Sequence, residues 1–320
     1  MRGSLRDLGE RKVVARLSAI YSAEYPADCP LEPGDDAGCV RLGDSYLLLN
    51  VDGYSIASSK LPWMSWGDLG WKSVVAAISD LVAKGARPLA AASSLGLNPE
   101  RPLQVVEDMV RGMVEACSSH NLAYLGGDLN SGREEWVDVA AVGITSTPLP
   151  RGGAKPGDLI YTTGTYGLTG AAFHIYSSGS RPDEWKSIYK ATTRPEAPLE
   201  FLDLVKRLGP LIHAAADVSD GLAETLYLLA EASNISIELS SVPLHPEAEE
   251  YASASGADPE ELALYGGEEY NVVFIVDPSA AEELEGLGWV HRIGAVRRGG
   301  PAVVRNGRVV ERRGWDQFTF

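Results

Sequence analysis

Cysteine is scarce in this chain: Cys29, Cys39 and Cys117 are the only three in 320 residues, and no two are spaced Cys-x-x-Cys. An odd count of unpatterned cysteines fits reduced thiols in a cytosolic protein. The five histidines are scattered with no pair at i, i+4, so a zinc site is not expected. Positive charge is also in short supply. With 28 Lys and Arg against 44 Asp and Glu, the net charge of −16 argues against nucleic acid and anionic membrane surfaces as partners. It remains compatible with a nucleotide, because carboxylates can hold the magnesium that accompanies phosphates. No apolar run approaches the ~18 residues that span a bilayer, and residues 1–9 are too charged for a signal peptide. A cytoplasmic protein is expected. The common phosphate loops and catalytic signatures are missing too. There is no GxxxxGK[ST], no kinase H-R-D or D-F-G, no GxGxxG opening a βαβ unit and no G-x-S-x-G elbow. If the protein handles ATP, it does so without the usual loop.

What is present is an ordinary globular composition, 45% hydrophobic and 22% charged, long enough for two domains. Ser4 can cap a first helix whose Leu5, Leu8, Val13, Leu17, Ile20 and Tyr21 predict one buried stripe. A turn at 33–38 leads to strands at 39–42 and 46–52, the second nearly all apolar until it delivers Asp52. Residues 54–67 read as a mobile or ligand-covering loop. A helix over 68–84 carries a core face from Trp71 to Val82, with Asp80 on another face among alanines. Small neighbours suggest close approach of backbone or ligand. The competing reading is a surface pair with Lys84 at i+4, worth only ~0.3–0.5 kcal/mol. Strands at 89–97, 122–125 and 136–144 and a helix at 102–119 complete an α+β layer with a sheet face free for pairing.

The Pro/Gly-rich run 146–158 marks a boundary between domains 1–147 and 148–320. Beyond it come a strand at 159–164, helices at 168–178 and 199–208, and the motif DVSDGL at 217–222. A helix then runs to Ser233, followed by a strand at 235–239. In DVSDGL, Asp217, Ser219 and Asp220 converge where a strand turns into a helix. Capping by Asp220 would account for one carboxylate and about 1 kcal/mol, not for both. The run 265–276 repeats paired glycines, paired acids and a strand. Asn306-Gly307 fits a type I′ hairpin, and the tail with Trp315, Phe318 and Phe320 is expected to dock.

Asp35-Asp36, Asp52, Asp128, Asp217/Asp220 and Glu268-Glu269 thus combine acids with Gly or Ser at element ends or in loops, and Asp80 joins them from a helix. Gathered in one cleft, these carboxylates would need cations. Hard divalent ions with oxygen ligands, magnesium with phosphate above all, suit them, and phosphoryl transfer uses this equipment.

At this point the chain resembles a known family. GDDAG at 34–38, VD at 51–52, GWKSVVAAISDLVAKGARP at 70–88, GGD at 126–128, RGGAKPGD at 151–158, DVSDGL, GGEEY at 266–270 and GWDQF at 314–318 stand in the order of thiamine-monophosphate kinase, within the aminoimidazole ribonucleotide synthetase-like superfamily. The resemblance implies a two-domain fold of class α+β / α/β, an N-terminal domain dimerising through its β-sheet plus a C-terminal α/β domain. It implies a homodimer that transfers a phosphoryl group from ATP to thiamine monophosphate on Mg2+. Asp36, Asp52, Asp80, Asp128, Asp217 and Asp220 would be metal ligands, with Asp217, Asp220 and Asp128 the catalytic acids. Gly127, Asp128, Arg151 and Ser219 would meet ATP, and Ser59, Glu268 and Trp315 the acceptor. Most of the departures fall on the acceptor side, where Gly53 and Ser59 replace an expected Thr and His. A kinase for another small acceptor, such as α-ribazole, or a non-catalytic nucleotide-binding paralogue are the alternatives.

Overall fold

The computed structural model describes residues 4–315 and residue 318. Ser4 accepts from Asp7 N and closes a capping box on α1 (Leu5–Leu8), and Gly9, at φ 73°, breaks the helix before α2 (Glu10–Tyr21). The break interrupts the expected stripe. Leu5, Leu17, Ile20 and Tyr21 stay exposed, and Ser18 is the buried residue of α2. The reason is local: Gly34 comes so close that a Cβ there would lie 2.9 Å from Ser18 Oγ, so α2 presents its small face. The reduced-thiol expectation is also corrected. Cys29 and Cys39 form a disulfide with Cα atoms 5.5 Å apart, leaving Cys117 as the free, buried thiol.

The first sheet holds β1 (Gly38–Leu42), β2 (Ser45–Ser55), β3 (Arg87–Leu97), β4 (Ala123–Ser131) and β5 (Trp136–Thr145). Their order is β1-β2-β5-β3-β4, antiparallel except for β3 and β4. The span 54–67 is structured and packed rather than an open loop. β2 runs on to Ser55, α3 (Ile56–Ser59) follows, and Leu61, Trp63 and Met64 are buried. Trp63 Nε1 donates to Thr192 Oγ1 at 3.0 Å, which anchors the loop to the second half of the chain.

The second sheet is built from β6 (Leu159–Thr163), β7 (Ile212–Asp217), β8 (Ser236–Leu239), β9 (Val272–Val276), β10 (Val290–Arg297), β11 (Ala302–Arg305) and β12 (Arg308–Val309), in the order β12-β11-β8-β10-β6-β9-β7. Asn306 and Gly307, with φ of 51° and 74°, make the β11–β12 turn of the I′ kind read from their sequence.

One helix, α4 (Trp66–Ala83), lies between the sheets. It packs on β2 and β5 from one side and on β7 and β9 from the other, and 14 of its 18 residues are buried. A helix clad on all sides needs small residues where backbones meet. Accordingly a Cβ on Gly70 would fall 2.0 Å from Met109 O, and one on Gly112 would fall 1.9 Å from Gly67 O, both in the contact with α5 (Leu103–Ser119). The outer face of the first sheet is unlike this. Val40, Leu42, Leu49, Val51 and Leu125 all stand exposed on it.

Candidate functional site

The site forms where α4 meets the middle of β2, the end of β7 and the 33–37 turn. Asp36, Asp80 and Asp217 each offer a carboxylate oxygen within 4.8 Å of the others. Their supports come from four stretches. Ser79 Oγ donates to Asp217 Oδ2 at 2.8 Å, and Asn50, on β2, donates its side-chain amide to Asp80. Arg151 binds Asp36 through Nη2 and the Gly34 carbonyl through Nη1. Lys84, fully buried just past the end of α4, places Nζ 2.7 Å from Asp35 Oδ1 and 2.8 Å from Asp36 Oδ2. Lys84 therefore does not serve as a surface partner for Asp80.

The electrostatics sort these acids. Burial works to raise Asp36, but the charges of Arg151 and Lys84 outweigh it and hold the carboxyl below its ordinary range. For Asp80 and Asp217 the charge of Arg151 is too weak to offset burial, and no cation is among the leading influences on Asp52 and Asp220. Burial first, then neighbouring carboxylates, pushes Asp80 well up, Asp217 and Asp220 to about 7, and Asp52 to about 6. Carboxylates in this condition hold protons near neutrality and would exchange them for a hard cation. An all-oxygen donor set of this kind suits Mg2+.

Not every acid read from the sequence is gathered here. Asp128 is exposed on β4, where it accepts from Asn130 at 2.7 Å, outside the three-acid group. Gly127, beside it, is needed because a Cβ would sit 1.8 Å from Ser93 O, at the irregularity in the β3–β4 pairing. Asp220 does not cap the helix Leu222–Ser233. Gly221 occupies the cap position and makes no side-chain bond, which corrects the capping reading and leaves the carboxylate available.

The second functional motif is zipped to the first. Val218 N donates to Asn271 O, Tyr270 N to Val218 O at 2.9 Å and Glu268 N to Ser219 O at 2.6 Å, carrying the β7–β9 pairing past its end. Glu268 forms an ion pair with buried Lys72 at 2.5 Å, and Lys72 Nζ also approaches Ser59 O at 3.5 Å. Tyr54 and Tyr270 join by their hydroxyls at 2.5 Å beneath the same lysine. Ser59 and Glu268 thus share one neighbourhood, whereas Trp315 sits elsewhere, its N donating to Asp220 O at 3.3 Å. Trp315, Asp220 and Arg151 line a cavity of about 1170 Å³ that α2 borders. Sequence reading passed over Asn50, Ser79, Lys72 and Tyr54. Only their position beside flagged acids could have drawn notice, since each residue type is ordinary in a helix or strand.

Comparison with known proteins identifies the family. The N-terminal domain of AIR synthase related protein matches residues 34–145 and its C-terminal domain residues 155–305. Thiamine-monophosphate kinase of Pyrococcus abyssi is 32% identical over 290 residues, covering 89% of this chain and 90% of its own length. The enzyme of that name from Mycobacterium tuberculosis is 31% identical over 323 residues, covering 98% and 93%. Among solved structures, a protein from Thermus thermophilus superposes with a TM-score of 0.89 at 37% identity, over 97% of this chain and all (100%) of its own. AaThiL complexed with AMPPCP and TMP gives a TM-score of 0.89 at 27% identity, over 99% of this chain and 100% of its own. The chain belongs to the thiamine-monophosphate kinase family of AIR synthase related proteins.

Proposed function

We propose that this protein transfers the terminal phosphoryl group of ATP directly to thiamine monophosphate, giving ADP and thiamine diphosphate. One observation carries the reading: Asp36, Asp80 and Asp217 converge within 4.8 Å in a chain of this family. Mg2+ bound there, with Asp52 and Asp220 at its margin, would neutralise charge on the transferred group, which is most of what phosphoryl transfer asks of a protein. Arg151 belongs to both the acid cluster and the wall of the cavity, which suits a guanidinium meeting phosphate. Ser219, Gly127 and Asp128 complete the nucleotide side in this proposal. Ser59 and Glu268 form the acceptor side in this proposal, and Trp315 would meet the acceptor from the cavity wall it shares with Asp220 and Arg151. A phosphate acceptor is already anionic, so positioning dominates and no covalent phosphoenzyme is needed.

The domains we assign are 1–147 and 148–320, and we assign a homodimer formed through the outer face of the first sheet. The exposed Val40, Leu42, Leu49, Val51 and Leu125 support that pairing, since so large an apolar face seldom meets water in a monomer. A cytoplasmic location belongs to the same proposal. The test is ADP release from ATP and Mg2+ with thiamine monophosphate, thiamine or α-ribazole as acceptor. Stimulation by thiamine monophosphate alone is expected. ATP binding with no stimulation by any acceptor would favour a non-catalytic nucleotide-binding protein.

A further inference from the structure

Lys84 is the only lysine whose ammonium lies within the acid cluster among the described residues. Its Nζ lies close to three oxygens: it donates to the Ala215 carbonyl at 2.6 Å and pairs with Asp35 Oδ1 at 2.7 Å and Asp36 Oδ2 at 2.8 Å. No surface of the side chain reaches solvent. Burying an ammonium is costly unless carboxylates surround it, so this lysine is not a solvated charge that happens to lie nearby.

The three oxygens come from two parts of the fold and the lysine from a third. Asp35 and Asp36 sit in the 33–37 turn, Lys84 ends the central helix, and Ala215 lies two residues before Asp217 on β7. The Lys84 carbonyl also accepts from Leu149 N at 3.1 Å, which ties the connecting segment to the same point. Asp35, meanwhile, accepts from Arg151 N at 3.1 Å and from Asp36 N at 2.8 Å. A point charge with three oxygen neighbours, drawing separate segments together, does what a bound metal ion does. Asp35, Asp36, Asp52, Asp80 and Asp217 are five carboxylates, and Lys84 and Arg151 are the cations that face them.

We propose that Lys84 is a positioning residue acting as a built-in cation: its ammonium occupies a place in the acid cluster that would otherwise require a divalent ion, and it fixes Asp36 for metal binding. The inference rests on the metal-binding reading of the same site. Its consequence is a change in metal count. The native chain loads one divalent ion fewer than a variant in which residue 84 is neutral, and removing the charge of Asp35 as well restores the native count.

The experiment counts bound Mn2+ by electron paramagnetic resonance on full-length protein, native, Lys84→Met and the double variant Asp35→Asn/Lys84→Met. Thermal unfolding is followed in parallel with and without Mn2+. The expected result is one additional bound Mn2+ in Lys84→Met, with a melting temperature that is lowered without metal and recovers when metal is added, and a native count in the double variant. If Lys84→Met does not fold, Lys84→Gln carries the same count, because it keeps a donor for Ala215 O. A purely structural lysine would lower the melting temperature without altering the count, and that result overturns the proposal. Absence of bound Mn2+ in all the proteins would overturn the metal-binding reading together with it, whereas an unchanged count in Lys84→Met overturns the role of Lys84 alone.

Discussion

Ser79 Oγ, on the central helix, donates to Asp217 Oδ2 across 2.8 Å, linking that helix to the second sheet at the point where the acids meet. The bond favours the ionised form of Asp217 and partly offsets the burial that raises its pKa. Ser79→Ala should cost about 1 kcal/mol in stability. It should also weaken Mg2+ binding at pH 7, because Asp217 then keeps its proton to higher pH. Binding should recover near pH 8.5. A Mg2+ titration followed by thermal shift at both pH values checks this, and equal weakening at both would sink the electrostatic explanation.

Asp217→Asn removes the charge but keeps the shape of a side chain held by Ser79. Turnover should fall by two or more orders of magnitude, in keeping with the loss of a preorganised electrostatic contact, while the melting temperature stays level or rises. Replacing a buried, proton-retaining acid by its amide relieves the cost of ionising it. Steady-state kinetics with saturating Mg2+, alongside calorimetry, measure the two quantities separately.

Glu269 provides a pH signature away from the acid cluster. Its Oε1 accepts from Gly167 N at 2.8 Å and Thr169 N at 3.4 Å, at the start of α6 (Leu168–Ser177), yet burial pushes its pKa up to about 7 from an ordinary 4.5. The folded chain therefore holds this proton more tightly than the unfolded one. Stability from this group is fully present below about 4.5, declines as pH rises towards about 7 and is level above. Glu269→Gln should flatten that decline and raise the melting temperature at pH 8. Unfolding curves from pH 4.5 to 8 on both proteins provide the comparison.

Much of the site could be read from the order of residues, because acids placed beside Gly or Ser at element ends leave a local mark. Asp80 was legible for a different reason: a helix face of alanine is too small for a solvated surface. Other features are not local. The chain around Lys84 looks like the end of an amphipathic helix, and its burial depends on Asp35, Asp36 and Ala215 arriving from elsewhere. The stripe on α2 has the right period, but periodicity does not reveal that Gly34 demands the Ser18 side. Cys29 and Cys39 pair because a turn folds back on β1, which no count of cysteines conveys. Asp128 carries the glycine signature of the other acids. At that position, however, the glycine relieves a strand crossing at Ser93.

The Cys29–Cys39 bridge closes the loop that carries Asp35 and Asp36. Reduction, or the pair Cys29→Ser/Cys39→Ser, should cost about 2–3 kcal/mol by the loop-entropy estimate. The loss should appear as a lower melting temperature in reducing buffer for the native chain and no response to reductant in the serine variant. Alkylation with mass analysis before and after reduction verifies the thiol count.

Gly112→Ala separates helix propensity from packing. In an isolated helix the change is worth about 1 kcal/mol in favour of alanine. Here the new methyl would lie 1.9 Å from Gly67 O, a backbone atom that cannot rotate away. Overpacking of this sort typically costs about 1–3 kcal/mol or more, so net destabilisation is expected. Chemical denaturation gives the sign directly, and a gain in stability would show that α4 and α5 can separate without penalty.

The acid cluster also bears on how the chain reaches its fold. Asp217 and Ser79 are 138 residues apart in sequence, Arg151 and Asp36 are 115 apart, and the Tyr54–Tyr270 contact spans 216. Contacts of such separation form only after the entropy of closing long loops has been overcome. During refolding, each sheet can gather its local helices well before the carboxylates meet. If the cluster binds metal as proposed, that ability is among the last properties acquired, and its appearance times the docking of the two sheets on α4.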